Sequence, residues 1–266
     1  ELGIEVDENE IDELIQNYIA SYCGEDATEE DLEALLKESY STLDTFKTMI
    51  RANFLYSDLI DNKYGEAGAD ISDEDIKSFA DKNQFVTATH ILLLNTDDEG
   101  KELSDSAKEK LKKQAEGFIE ELHAIVDDKE RLERFNELKA EFCQDTGKTA
   151  FPDGYCFTTG TMVESFDTAA RELGEYEVSE VVESDYGYHV IMRLPLTGDD
   201  LCTGSDGTPT KLRTIVAENL FAEEFDTWIE SATAEFVGRY KSYPFEGLFD
   251  ENGFNYVNFK ESTTEG

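Results

Sequence analysis

The sequence predicts an α+β fold held in a helical frame. Three features lead there: helical apolar spacing through residues 1–83, a strand, helices and two closing strands over 84–196, and a second amphipathic helix within 197–266. At 266 residues the chain is long enough for two moderate domains, each with its own core. The expected division is an N-terminal helical segment (1–83), an α+β domain (84–196), and a last part (197–266) made of a linker, a helix packing on the first segment, and a tail.

Each element has its own signal. Ile11, Leu14, Ile15, Tyr18, Ile19 and Tyr22 keep helical spacing behind an N-cap at Asp7, and Gly24 ends the run. Thr28 with Asp31 opens a second helix carrying Leu32, Leu35, Leu36 and Tyr40. A third, from about Thr42 to Tyr64, presents Leu43, Phe46, Ile50 and Phe54, and Ser72 with Asp75 caps a short fourth. Phe85 to Leu94 is a strand, and Ser106–Ile125 and Lys129–Phe142 are charged helices. After a loop punctuated by Gly147, Pro152, Gly154 and Gly160, Thr161–Leu173 is helical, and Val178–Val182 and Gly187–Leu194 are strands. Thr197–Pro209 reads as a polar linker; Leu212 to Phe236 is a long amphipathic helix, and the aromatic tail from Ser242 reads as irregular, a docked arm.

Composition narrows the function. With 62 acidic against 23 basic residues the net charge is -39, a field that repels phosphate backbones and anionic bilayers, so no nucleic-acid partner is expected. Hydrophobic residues at 39% and aromatic residues at 11% place the acid on the surface of a folded chain. No apolar run reaches the ~20 residues that span a bilayer. The start at Glu1, without Met, reads as processed or truncated. The four cysteines, Cys23, Cys143, Cys156 and Cys202, lack CxxC spacing and are expected as isolated thiols; Cys143 and Cys156, flanking one loop, are the pair nearest to a bridge.

Two of the three histidines occupy matched settings, Ala88-Thr89-His90-Ile91-Leu92 and Gly187-Tyr188-His189-Val190-Ile191, which suggests a pair in neighbouring central strands. Strand histidines by themselves are more often satisfied core residues than catalysts. Neither lies in HxH, HxxxH or HExxH spacing, so no metal or other cofactor is expected. Cys143 and Cys156 carry no protease signature, and His123, late in a charged helix, reads as a solvated surface residue.

Four blocks in order make a stronger signal: Ala88-Thr89-His90-Ile91-Leu92-Leu93, Phe135 through Asp145, Phe157-Thr158-Thr159-Gly160-Thr161-Met162-Val163-Glu164-Ser165-Phe166, and Tyr186-Gly187-Tyr188-His189-Val190-Ile191. Together they resemble the parvulin family of peptidyl-prolyl cis/trans isomerases. The resemblance implies a four-stranded antiparallel sheet wrapped by helices, with paired histidines, His90 and His189, hydrogen-bonded to each other on the pocket floor. It places Asp145 at the family's cysteine or aspartate position and Met162 and Phe166 around the proline ring, with Phe157 as an aromatic wall. His90, Asp145 and His189 are thus the expected catalytic set, and Met162, Phe166, Phe157, Gly154 and Tyr155 the substrate-binding set. One departure stands out: Phe151-Pro152-Asp153-Gly154-Tyr155 replaces a Gly-Gly-Asp-Leu-Gly type loop, so Gly154 stands where the pocket has leucine. Either a wall is missing or Phe151 or Tyr155 supplies it.

The helical flanks resemble those of extracytoplasmic foldases of the PrsA and SurA type, in which helices before and after the isomerase domain form an all-α chaperone module. That implies a foldase acting on unfolded or partly folded polypeptides with X-Pro bonds, outside the cytoplasmic membrane, with a tether through an N-terminal lipid anchor since removed, and a homodimer as a further expectation. The acidic loop Asn95-Thr96-Asp97-Asp98-Glu99-Gly100 stands where phospho-specific members carry a basic loop, which argues against phospho-specificity. The competing readings are a non-catalytic holdase with a degenerate parvulin domain and an acidic surface or adaptor protein.

Overall fold

Helix boundaries follow the capping residues. In the computed structural model, which describes residues 6–39, 41–231, 249–250 and 253–254, the Asp7 carboxylate accepts the Asn9 N–H at 2.9 Å and opens α1 (Glu8–Tyr22). Asp31 accepts the Thr28 N–H at 2.8 Å at the start of α2 (Glu29–Glu38), and Thr42 Oγ1 accepts the Thr45 N–H at 3.1 Å at the start of α3 (Leu43–Tyr64). Their inward faces meet: Ile11, Ile15, Ile19, Leu32 and Ile50 form one buried cluster, and the Tyr18 and Phe46 rings meet edge to face at 5.1 Å. A 3₁₀ turn, Glu66–Gly68, leads to α4 (Asp73–Asn83), capped by Ser72, whose Oγ accepts the Asp75 N–H at 3.1 Å.

The strands and helices that follow are β1 (Val86–Leu94), α5 (Asp105–His123), α6 (Asp128–Phe142), β2 (Tyr155–Phe157), α7 (Glu164–Glu172), β3 (Val182–Ser184), β4 (Gly187–Leu194), β5 (Leu201–Thr203), β6 (Pro209–Lys211) and α8 (Leu212–Ser231). The order is β3-β4-β1-β2-β5-β6. Its first four strands are antiparallel, as the fold class required, and β5 joins β2 in parallel. The β5–β6 hairpin lies where a linker was expected. Its polar residues close a turn, with Gly204 N–H donating to Thr208 O at 2.7 Å and Gly207 at φ +84°. Another difference is at Val178, expected inside a strand, which makes a lone bridge to Met192 while β3 begins at Val182.

Strand alternation gives the sheet two unlike faces. On one, Ile91, Val190 and Met192 are fully buried among Phe118, Leu122, Phe135 and Leu138 of α5 and α6. On the other, Val86, Ala88 and Ile191 meet Phe157 and the α7 residues Phe166 and Ala170. The helix α8 also touches the N-terminal part: the Phe221 and Tyr56 rings meet edge to face at 5.0 Å, and Thr214 Oγ1 donates to Ala67 O at 2.8 Å. Gly68, at φ +78°, sits so close that a Cβ there would lie 2.5 Å from Arg213 O.

The chain divides into two compact units, 1–222 and 223–266. In the second, Phe225 and Trp228 rings lie 6.3 Å apart and the two-residue strands Phe249–Asp250 and Gly253–Phe254 pair antiparallel. The remainder of the tail and the helical extension expected to Phe236 lie outside the described residues. Among the described residues no helix is long and apolar enough to cross a membrane.

Candidate active site

The two histidines share a sheet face because of register. His90 pairs with Ile191 and His189 with Leu92, so the imidazoles are diagonal neighbours on β1 and β4, two positions out of step. That offset brings the rings together at 5.3 Å and 65°, edge to face. The mutual hydrogen bond expected of them is not made. His189 Nε2 instead bonds the Ser184 hydroxyl at 2.7 Å, while both ring nitrogens of His90 and Nδ1 of His189 are buried without a hydrogen-bond partner.

Asp145 reaches this floor by way of an edge that needs covering. β2 pairs with β1 only at Val86–Ala88, which leaves the carbonyls and amides of 90–94 exposed on that side. The segment after α6 takes them: Gln144 N–H donates to Leu92 O at 2.9 Å, Leu94 N–H donates to Gln144 Oε1 at 2.9 Å, and Cys143 Sγ lies 3.4 Å from Leu92 N. The next residue is Asp145, whose Oδ1 accepts the Gly147 N–H at 3.0 Å and whose Oδ2 accepts the Tyr155 hydroxyl at 2.5 Å. Its Oδ2 lies 3.6 Å from His90 Nε2, beyond hydrogen-bond range.

Electrostatics keep both imidazoles neutral. Burial is the main cause for each; it lowers the pKa of His189 to about 4, against a smaller opposing pull from Asp145. For His90 burial and the adjacent His189 act in the same direction, so His90 and Asp145 are not an ion pair at neutral pH. The Tyr155 phenol is raised by burial and by its bond to Asp145, and it stays a donor.

Above this floor is a cavity of about 310 Å³, lined by His90, Asp145, Tyr155, Met162, Phe166 and His189 together with Leu92, Leu94, Gln144, Thr146, Val163 and Tyr186. Phe166 stands edge-on to both imidazoles, at 5.2 Å from His90 and 5.6 Å from His189. Six of the eight expected site residues therefore converge on one cavity. Phe157 does not line it; at 2% exposure it packs behind Phe166, with ring centroids 5.8 Å apart. Gly154 does not line it either. At φ +132° it is pressed on β1, where a Cβ would lie 2.8 Å from Ala88 O, so no side chain fits at that point. The wall is supplied by Tyr155, nearly parallel to His90 at 5.7 Å and backed by Phe151 at 4.8 Å.

Sequence reasoning missed four supports. Leu92 and Leu94 follow from the period of β1 once His90 is placed on the pocket face. Ser184, which orients His189, sits five residues before it across the β3–β4 turn, a proximity that only the hairpin reveals. Lys139 reads as one more charge on a charged helix, yet it is 8% exposed. Its ammonium donates to Thr89 Oγ1 at 2.9 Å and to Pro152 O at 2.8 Å, tying the loop before Tyr155 to β1. His123, read as a solvated residue, is exposed and lies with Nε2 3.2 Å from Val178 O. Among the described residues no cluster of three or more His, Cys, Asp or Glu side chains could hold a metal ion.

Comparison with known proteins locates the same region. Residues 90–194 match the family model of the rotamase, PPIC-type PPIASE domain. The chain is 30% identical over 195 residues to the foldase protein PrsA of Halalkalibacterium halodurans, covering 71% of this chain and 51% of that protein. To the foldase protein PrsA of Staphylococcus epidermidis it is 31% identical over 196 residues, 70% of this chain and 51% of that one. The chain thus spans about half the length of these relatives. Among solved structures it is similar to PrsA from Bacillus subtilis, at 21% identity and a TM-score of 0.35, covering 91% of this chain and 82% of that one.

Proposed function

We propose that this chain, whose residues 90–194 are a PPIC-type domain of the parvulin kind, is a peptidyl-prolyl cis/trans isomerase and foldase for unfolded or partly folded polypeptides. The observation that carries the reading is the pairing of a small apolar cavity, closed by Met162, Phe166 and Tyr155, with a floor of two neutral, under-bonded imidazoles.

The chemistry requires no covalent step. An X–Pro amide is held planar by resonance behind a barrier of ~20 kcal/mol, and the twisted amide loses that conjugation. A site that binds the twisted form better than either planar isomer lowers the barrier. At about 310 Å³ the cavity is at the small end of ligand sites, suited to a pyrrolidine ring rather than a large side chain. Met162, Phe166 and Leu92 hold that ring in apolar contact. The prolyl nitrogen gains a lone pair as it twists and the carbonyl turns ketone-like; Tyr155, His90 and His189 supply neutral polar groups beside both. Neutral imidazoles suit this role, because a charged floor would favour water over the ring.

The flanks extend the reading. The contact of Tyr56 with Phe221 and the bond from Thr214 to Ala67 support a helical module in which residues 212–222 pack on the segment 1–83, with the isomerase domain, 84–196, between these parts. In this proposal the module holds the client while the domain turns its prolines, outside the cytoplasmic membrane, as the resemblance to extracytoplasmic foldases suggests; a lipid tether and a homodimer belong to the same proposal. The acidic loop after β1 starts beside the cavity residue Leu94, which favours plain over phosphorylated X–Pro chains.

The test is the refolding of a client whose slow phase is prolyl isomerisation, followed with catalytic amounts of the chain. Acceleration that disappears with Met162→Ala supports the foldase reading. Suppressed aggregation without acceleration would leave a holdase instead, and faster turnover of phosphorylated than plain peptides would overturn the proposed preference.

A further inference from the structure

We propose that Cys156 and Cys202 form a disulfide that staples the β5–β6 hairpin to β2, the strand bearing the pocket tyrosine. β2 and β5 meet in parallel at a single paired position, and that position is Cys156 with Cys202. Both are buried, at 3% and 2% exposure. Neighbouring strands lie ~4.8 Å apart, which falls within the ~4.4–6.8 Å Cα separation that a disulfide bridges without backbone movement. The neighbouring Cys156 thiol, together with burial, pushes the Cys202 thiol upward, as expected of two sulfurs facing each other in one paired position.

The other two cysteines are placed elsewhere. Cys143 Sγ is engaged beneath β1, 3.6 Å from His90 O, and Cys23 packs against the α1–α3 cluster. Near-neighbour thiols at the one point where two parts of a sheet are joined have a mechanical meaning. The hairpin is the sheet edge, with β6 outermost, and a bond there would close the segment 156–202, which contains α7, β3 and β4. His189, Met162 and Phe166 all lie within that loop.

Oxidation proceeds through local opening of the edge hairpin, because both sulfurs are covered when it is shut. The oxidant is a low-molecular-weight disulfide. Once the hairpin opens, the thiolate of one cysteine attacks one sulfur of the oxidant, forming a mixed disulfide and expelling a thiolate; the thiolate of the other cysteine then attacks the protein sulfur of that mixed disulfide, forming the Cys156–Cys202 bond and expelling the second thiolate. The two cysteine protons end on the two released thiols. One small disulfide is reduced and two protein thiols are oxidised.

The pairing is independent of isomerase activity, and so is its test. The full chain is incubated with oxidised glutathione at a sub-denaturing urea concentration, quenched with an alkylating reagent and counted for free thiols against a dithiothreitol-treated control. The four free cysteines of the reduced chain should fall to two, with a Cys156–Cys202 cross-linked peptide and a Tm higher by about 10 °C. Cys202→Ala should keep its remaining three thiols, and Cys23→Ala, which leaves the sheet untouched, should fall from three to one. Persistence of all four thiols, or a bridge involving Cys143 or Cys23, would overturn the proposal.

Discussion

Acidification should destabilise this chain through its pocket imidazoles, and His189 sets the size of the effect. Its pKa is lowered from 6.5 to about 4, mainly by burial. Between those values the unfolded chain binds a proton that the folded one refuses, so stability rises with pH across the window and is fully present above 6.5. Running downward, it is lost as pH falls towards 4; at ~1.4 kcal/mol per pH unit the loss approaches ~3 kcal/mol. His90, lowered by the same burial, adds in the same direction. The perturbation is His189→Gln, which removes the titrating ring and keeps a side-chain amide for Ser184. Urea unfolding of the parent and the variant, measured from pH 7.5 to 4.5, isolates the term, because protonation of the 62 acidic residues affects both chains alike. The stability gap between them should move against the parent by ~2 to 3 kcal/mol over that range. Parallel pH profiles would refute the claim that a neutral, buried His189 forms the floor.

Three further outcomes follow from the same contacts. Tyr155→Phe removes the 2.5 Å bond to Asp145 and should cost ~1–3 kcal/mol in urea unfolding, with a lower isomerisation rate and an unchanged fold by circular dichroism. Gly154→Leu installs the leucine of the loop that the sequence resembles but should not raise activity: the φ of +132° and the close Ala88 carbonyl predict a loss of ~1–3 kcal/mol in thermal unfolding. Lys139→Met leaves Thr89 Oγ1 and Pro152 O without their donor and should cost ~1–3 kcal/mol, with faster hydrogen exchange confined to residues 150–156.

The site was legible where chemistry and strand period coincide. His90 and His189 announced themselves as polar residues inside apolar strands, and the two-residue period of β1 and β4 then put them on one face. Met162 and Phe166 both reach the cavity, but not as the i, i+4 helical pair expected: α7 starts at Glu164 rather than Thr161, so Met162 approaches from the turn before the N-cap Val163 and Phe166 from the first turn of the helix. Helices with strong caps show their starts at Asp7, Thr42 and Ser72, and for the first two the sequence also places the far end within a residue or so. The short strands show no such signal. β2, β5 and β6 have three residues each, too few for a period to show, and β5 and β6 lie in a stretch of Gly, Asp, Ser and Thr that reads as linker. Lys139 escaped because burial of an ammonium depends on acceptors from Thr89 and Pro152, which come from elsewhere in the chain. Gly154 misled for the same reason. Its missing side chain is dictated by the β1 carbonyl facing it, while the neighbouring Tyr155 takes over the wall.

Prolyl isomerisation is a rate process, and exchange NMR of a plain X–Pro peptide measures it without a coupling protease. Uncatalysed, the two isomers interconvert over tens to hundreds of seconds. With the chain present at one hundredth of the peptide concentration, exchange cross-peaks between cis and trans should appear on the sub-second to second scale, and Phe166→Ala should abolish them. Cross-peaks no stronger than in the peptide alone would show that the cavity is not an isomerase site.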